Sequence, residues 1–364
     1  MKANFKAYAS IFTKLFFPHD GKNQHFRALD GLRGVAVLLV LLSHTSNKDI
    51  FFHEFLNFQN VGKVGVYLFF VLSAYLLDRQ IAIALMANKS SKRYWANYFL
   101  RRFLRIYPLF VIALIFHGVL TLLGFKTVID RVIDFPLHLV LVRGESIFWS
   151  IPVEFKYYFI SPLIMFGCHK FLKWNTTYVL VALVGLTMLT IWVEFVYNLS
   201  IVSTFRYFPI FLIGTLISTY ELLRKKTFSQ HINPVAFDVV GLFSSLLIIL
   251  TIPFYFQLIF RTSVNFQKSI FYFPYALLWG CMLIAAKYGK GVIRKLLEIR
   301  ILRFFGTIII SQAFFKHGRF KFIGLASRGE NLCLLIHIHG CFHDQLLIDR
   351  APPLCHKDLS ADAI

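Results

Sequence analysis

Hydrophobic and polar positions alternate along this chain on the scale of whole helices. Apolar runs near the length a bilayer demands, about 20 residues, cover roughly 29–47, 61–78, 100–125, 147–168, 176–198, 205–222, 236–258 and 269–287, and a ninth begins near Ile301. The first two runs are short and carry polar residues. Short polar connections separate the runs, and no self-similar halves of the transporter kind are visible. The pattern predicts an all-α, polytopic transmembrane helical bundle with eight to nine recognisable helices.

Charge orients these runs. With the N-terminus inside, the 79–105 connection carries Arg79, Lys89, Lys92, Arg93, Arg101, Arg102 and Arg105. Lys170 and Lys173, then Arg224, Lys225 and Lys226, then Lys287, Lys290, Arg294, Lys295, Arg300 and Arg303 follow on the same side. The opposite connections carry mainly Lys48, Lys126, Arg131, Arg143, Arg261 and Lys268. Positive residues collect on the cytoplasmic side, so the expectation is a cytoplasmic N-terminus. Residues 1–23, opening "MKANFKAYASIFTKLFFPHD", are amphipathic and suit the inner membrane surface.

Composition agrees. Hydrophobic residues make up 57% of the 364, against about 45–50% in ordinary soluble domains. The net charge of +21 is accounted for by the inner loops, and no basic segment sits in a soluble fold, so nucleic acid is not an expected partner. Nothing in the pattern fixes an oligomeric state.

From Ser311 the pattern stops. The tail 311–364 holds five of the 13 histidines and three of the five cysteines. It reads best as a stretch out of frame with an ancestral gene. The alternatives are an ordinary soluble tail and a zinc site built on "HIHGCFH" (His337, His339, Cys341, His343). No metal is assigned.

Ionisable residues inside apolar helices cost about 2.5–3.5 kcal/mol each on insertion scales, so each asks for a reason. In "RALDGLRGVAVLLVLLSH", Arg33 and His44 are eleven residues apart. That spacing returns to within roughly 20° of one face and separates them by about 16 Å along the axis. An arginine near the inner interface can hold an anion, and a histidine can act as a base where the ligand's reactive end arrives. The alternative is a snorkelling arginine and a structural histidine. In "RRFLRIYP", Arg102 and Arg105 share a helix face and suit phosphate through their forked donors, or serve as inner anchors. In "FWSIPVEFKYYFISP", Glu154 and Lys156 fall inside a run that Pro152 is expected to break, with Trp149 and Ser150 beside it, which suggests irregular backbone at a cavity. Glu154 could hold a histidine's second nitrogen or orient a substrate hydroxyl. Arg206, in "FRYFPIFLIG", sits at an outer helix end, as an acceptor contact or a headgroup anchor.

Taken in order, these stretches, with "GVYLFFVLSAYLL" and "LRFFGTI", resemble the acyltransferase 3 family of integral membrane acyltransferases over residues 24–310. The resemblance implies a bundle of about ten helices in the cytoplasmic (inner) membrane of a bacterium. It implies transfer of an acyl group, usually acetyl from acetyl-CoA, to a carbohydrate hydroxyl, with the lipid bilayer as surroundings. It maps the family's Arg-x10-His pattern onto Arg33 and His44, its Arg-x-x-Arg onto Arg102 and Arg105, and its tryptophan-serine-to-glutamate motif onto Trp149, Ser150 and Glu154. His44 and Glu154 are the expected catalytic pair and Arg33, Arg102 and Arg105 the acyl-CoA ligands. Trp149, Ser150 and Arg206 are acceptor or structural residues. Many members carry Asp where Tyr67 stands and Gly where Ala74 stands. Two competing readings are a secondary transporter or flippase of a sugar or lipid-linked glycan, and an inactive truncated acyltransferase.

Overall fold

The computed structural model describes residues 25–307 apart from 52, 126, 128, 130–131, 145, 225–232, 263 and 265–270. Residues 1–23, the tail from Ser311 and its "HIHGCFH" stretch therefore lie outside the described residues. Regular structure among the described residues is helical: α1 (His25–Ser46), α2 (Gly62–Met86), α3 (Lys92–Leu122), α4 (Phe135–Leu139), α5 (Ser150–Lys170), α6 (Thr176–Tyr197), α7 (Thr204–Leu223), α8 (Pro234–Leu250), α9 (Pro253–Phe260), α10 (Tyr272–Tyr288), α11 (Val292–Leu297) and α12 (Arg300–Thr307). The predicted helical bundle is the observed class, and every predicted apolar run contains a helix.

Local chemistry sets the helix ends. Ser91, Asn175 and Asn233 each accept a backbone N–H from the first turn of the helix they precede, as good N-caps do. Asn198 ends α6 in the left-handed conformation, φ 43°, which Asn tolerates better than most residues.

Four helices, α1 from Arg27, α2, α3 and α6, are long and apolar enough to cross a membrane, and the α8–α9 pair makes a fifth if counted as one span. α5 and α7 have the length but carry too many polar groups. Those groups are satisfied inside the bundle.

Two expectations are corrected. The run 236–258 is not one straight span: α8 and α9 are bent by 83° across Thr251 and Ile252. Pro253 opens α9 and holds Ile252 extended, at φ −65° and ψ 125°, because a residue preceding proline is driven out of the helical region. Pro152 does not break a span either. It lies in the first turn of α5, where backbone N–H groups have no intrahelical acceptor and proline costs little.

α2 is the central helix. It packs on α1, α5, α7 and α10, with Tyr67, Leu68, Phe70, Val71, Leu72, Ala74 and Tyr75 at 2% exposure or less. Phe211 stacks between Phe70 (ring centroids 4.6 Å) and Tyr157 (4.1 Å). α1 runs antiparallel to α2: a Cβ on Gly62 would meet Ser43, and one on Gly65 would lie 2.7 Å from the Ala36 carbonyl oxygen. α11 and α12 close on another side of α1, where the Leu297 carbonyl oxygen of α11 and the Leu302 carbonyl oxygen of α12 occupy the places that Cβ atoms on Gly31 and Gly34 would need.

Candidate functional site

The end of the bundle that carries the basic connections gathers three of the expected residues. Arg33 pairs with Asp30 one turn earlier on α1 (2.7 Å), and it lies within electrostatic range of Arg102 and Arg105 of α3. The Arg102 guanidinium donates to Gln80 of α2 (3.1 Å) and stands 5.9 Å from the ring centroids of both Tyr98 and Tyr158. Aromatic faces attract a guanidinium, so these rings fix its place. Tyr158 lies within range of both Arg102 and Arg105, and its hydroxyl donates to Glu154 Oε1 (2.7 Å). Ser73 of α2 donates to the same oxygen (2.7 Å). Like charges brought together in a half-buried setting are costly unless anions join them; Asp30 supplies one at Arg33, and the arrangement could accept another.

His44 lies at the other end of α1, half-buried in its last turn. The connection to α2 folds back around that end. Ser43 Oγ accepts from Val61 N (3.1 Å), Ser46 Oγ accepts from Phe58 N (3.0 Å), and Gln59 donates to the Ser46 carbonyl (3.1 Å).

Gly62 marks the level of Ser43, and Ser73 is eleven residues farther along α2, about 16 Å by helical rise. Glu154 therefore shares the level of Arg33 and belongs with the arginines, a helix length from His44.

Trp149 and Arg206 meet a third neighbourhood. Trp149 precedes α5 and packs on Tyr207 (4.9 Å) and edge-on to Phe70 (5.9 Å). Ser150 is the first residue of α5. Arg206 Nε lies 3.4 Å from Glu194 of α6, and its guanidinium also donates to the Leu199 carbonyl. Glu194 in turn accepts from Leu199 N (3.0 Å) and lies within electrostatic range of Tyr272 of α10. Lys156, in the second turn of α5, donates to the Val202 carbonyl (3.4 Å).

Sequence reasoning passed over two buried networks. Asp78 of α2, fully buried, accepts from Tyr157 (2.7 Å), Ser161 and Thr215, which ties α2 to α5 and α7. Lys287 of α10 reaches Glu221 of α7 and Tyr75 of α2 (2.6 Å), Tyr75 donates to Glu221 (2.6 Å), and Arg79 lies 3.7 Å from the same carboxylate. The signal was present: Asp78, Glu194 and Glu221 are acids inside apolar helical runs, the residues for which a membrane interior demands partners. Asp78 finds hydroxyls on α5 and α7, Glu221 finds Lys287, Tyr75 and Arg79, and Glu194 finds Arg206 and the Leu199 N–H, partners that no local pattern announces. Among the described residues no group of His, Cys, Asp and Glu could hold a metal ion.

The comparisons bear on this arrangement. Peptidoglycan O-acetyltransferase OatA of Listeria monocytogenes is 24% identical over 332 residues, covering 77% of this chain. This chain corresponds to 47% of that relative, so it spans about half the relative's length. No solved structure matches the chain. The family model described as an acyltransferase domain matches residues 26–311, the helices that hold Arg33, His44, Arg102, Arg105 and Glu154. On that match the chain belongs to the acyltransferase 3 family.

Proposed function

We propose that this chain is a membrane O-acyltransferase that carries an acyl group, acetyl in the first instance, from acyl-CoA to a hydroxyl of a cell-surface or secreted carbohydrate. The observation that carries the reading is the division along α1: three arginines from two helices converge at Arg33, and His44 stands about 16 Å away on the same helix. That separation suits a donor with a highly charged head and a long neutral arm. Arg33, Arg102 and Arg105 would hold the diphosphate through charge-assisted, forked hydrogen bonds. Glu154, bonded to Ser73 and Tyr158, would keep the ring under Arg102 and so position the guanidinium. The arm would run along α1 and deliver the thioester to His44.

There His44 takes the proton of the acceptor hydroxyl as that oxygen attacks the thioester carbonyl carbon. A carbon–oxygen bond forms, the carbon–sulfur bond breaks, and the proton passes from the imidazole to the departing thiolate. Transient acylation of His44 would give the same products in two steps. The relative named for peptidoglycan O-acetylation supports a carbohydrate acceptor.

The test is acyl transfer by the full chain in proteoliposomes. His44→Ala should abolish transfer to glycan and leave acetyl-CoA binding in place. Arg102→Ala with Arg105→Ala should lose the binding itself. A His44→Ala protein that transfers at the wild-type rate would end this reading.

A further inference from the structure

Tyr94, Tyr98, Arg102 and Arg105 follow one another along α3 at spacings of four, four and three residues, so they form one stripe on the helix. Its inner part is the cluster already described. Tyr98 is 7% exposed, its hydroxyl donates to the Tyr158 carbonyl (2.9 Å), and its ring lies under Arg102. Tyr94 is one turn nearer the helix start, half-buried, and within electrostatic range of Arg101 and Arg102. Trp95 meets the Tyr94 ring at 5.2 Å and 81°, and the Tyr98 ring at 5.8 Å and 76°. Crossed contacts of this kind cover at most one face of Tyr94, and they brace the ring against rotation.

Coenzyme A is linear, running from acyl arm through diphosphate to ribose and adenine. With the diphosphate on Arg102 and Arg105 and the arm directed along α1 toward His44, the nucleoside is left on the opposite side, toward the start of α3. Tyr94 is eight residues before Arg102, about 12 Å along the axis. We infer that Tyr94, braced by Trp95, is the stacking platform for the adenine ring of the acyl donor. The inference rests on the acyl-CoA reading above. It assigns that site a subsite for the base, separate from the groups that hold phosphate, and it makes Tyr94 a determinant of preference for the whole coenzyme over shorter thioesters. Aromatic stacking suits this task because every purine presents a π-face, and its loss costs about tenfold or more in affinity.

The experiment uses the full chain in lipid nanodiscs and two probes, acetyl-CoA and acetyl-4′-phosphopantetheine, which keeps the arm and first phosphate and lacks the adenosine. Tyr94→Ala should weaken acetyl-CoA by about tenfold and leave the shorter probe unchanged, and Tyr94→Phe should restore acetyl-CoA binding. Equal weakening of both probes would make Tyr94 a part of the scaffold and overturn the subsite. Unchanged binding of acetyl-CoA to Tyr94→Ala, with Arg102→Ala losing it, would overturn the subsite and leave the donor reading standing. Wild-type protein that binds no acetyl-CoA would overturn both.

Discussion

Asp78 shows what a single buried carboxylate does in this bundle. Its three donors come from α5 and α7, so one side chain accepts from three buried hydroxyls, of which Thr215 also reaches the Phe211 carbonyl (3.1 Å). A buried polar group deprived of its partner costs about 1–3 kcal/mol. Asp78→Ala should therefore lower the unfolding midpoint in detergent markedly, by an amount worth about 3 kcal/mol or more, and Asp78→Asn should lower it less. An Asp78→Ala protein that unfolds at the wild-type temperature would show that the hydroxyls find other acceptors. The sequence signalled this residue as an acid in an apolar run. Tyr157, Ser161 and Thr215 are ordinary helix residues by any local criterion, and only the packing of three helices makes them a set. Arg33, Arg102 and Arg105 were easier to find, because each arginine at the border of an apolar run already asks for an anion.

At the level of elements, backbone approach decides more than side-chain interdigitation where α11 and α12 meet α1. The Leu297 and Leu302 carbonyl oxygens occupy the space a methyl group would need at Gly31 and Gly34, and the Asp30 carbonyl oxygen occupies the place of a Cβ on Gly306. Here the neighbouring atom is backbone and cannot rotate away. Gly31→Ala should displace α11 and Gly34→Ala should displace α12, and both should lower thermal stability and disturb the Arg33 site. Gly185 of α6 has nothing within 4 Å, and Ala there should be neutral or slightly stabilising, since Ala exceeds Gly in helix propensity by about 1 kcal/mol. Thermal melts of the three variants check this, and equal melting temperatures would refute the close approach. Helix positions were legible from apolar periodicity. The 83° break between α8 and α9 was readable in principle from Pro253, but the unbroken hydrophobicity of the run masked it.

For the whole molecule, the chief feature is the separation of a cationic end from a histidine end across the helix length. An electrostatic grip on the donor's phosphates predicts that raising salt from tens to several hundred millimolar increases the KM for acetyl-CoA, and does so less for acetyl-pantetheine, which lacks phosphate. Steady-state assays with both donors measure it. A salt response identical for the two would remove the arginines from donor recognition. The sequence disclosed this polarity because charge bias between loops and the eleven-residue spacing on α1 are both one-dimensional signals. The grouping of Glu154 with the arginines was hidden, because it depends on Ser73 and Tyr158 arriving from α2 and α5 at one carboxylate oxygen.

The seating of α12 on α1 also bears on biogenesis. α1 is made early and leaves the ribosome long before the segment that fills its Gly31–Gly34 face. More than 250 residues separate the end of α1 at Ser46 from the start of α12 at Arg300. At about 5–20 residues per second this is a delay of roughly 10–50 seconds. Throughout it the helix bearing Arg33 and His44 presents an uncovered seam to the bilayer and to other nascent chains. Membrane chaperones and quality-control proteases thus have a defined window in which to read that seam. The Arg33 cluster gains its full framework only when the last of these helices has been synthesised.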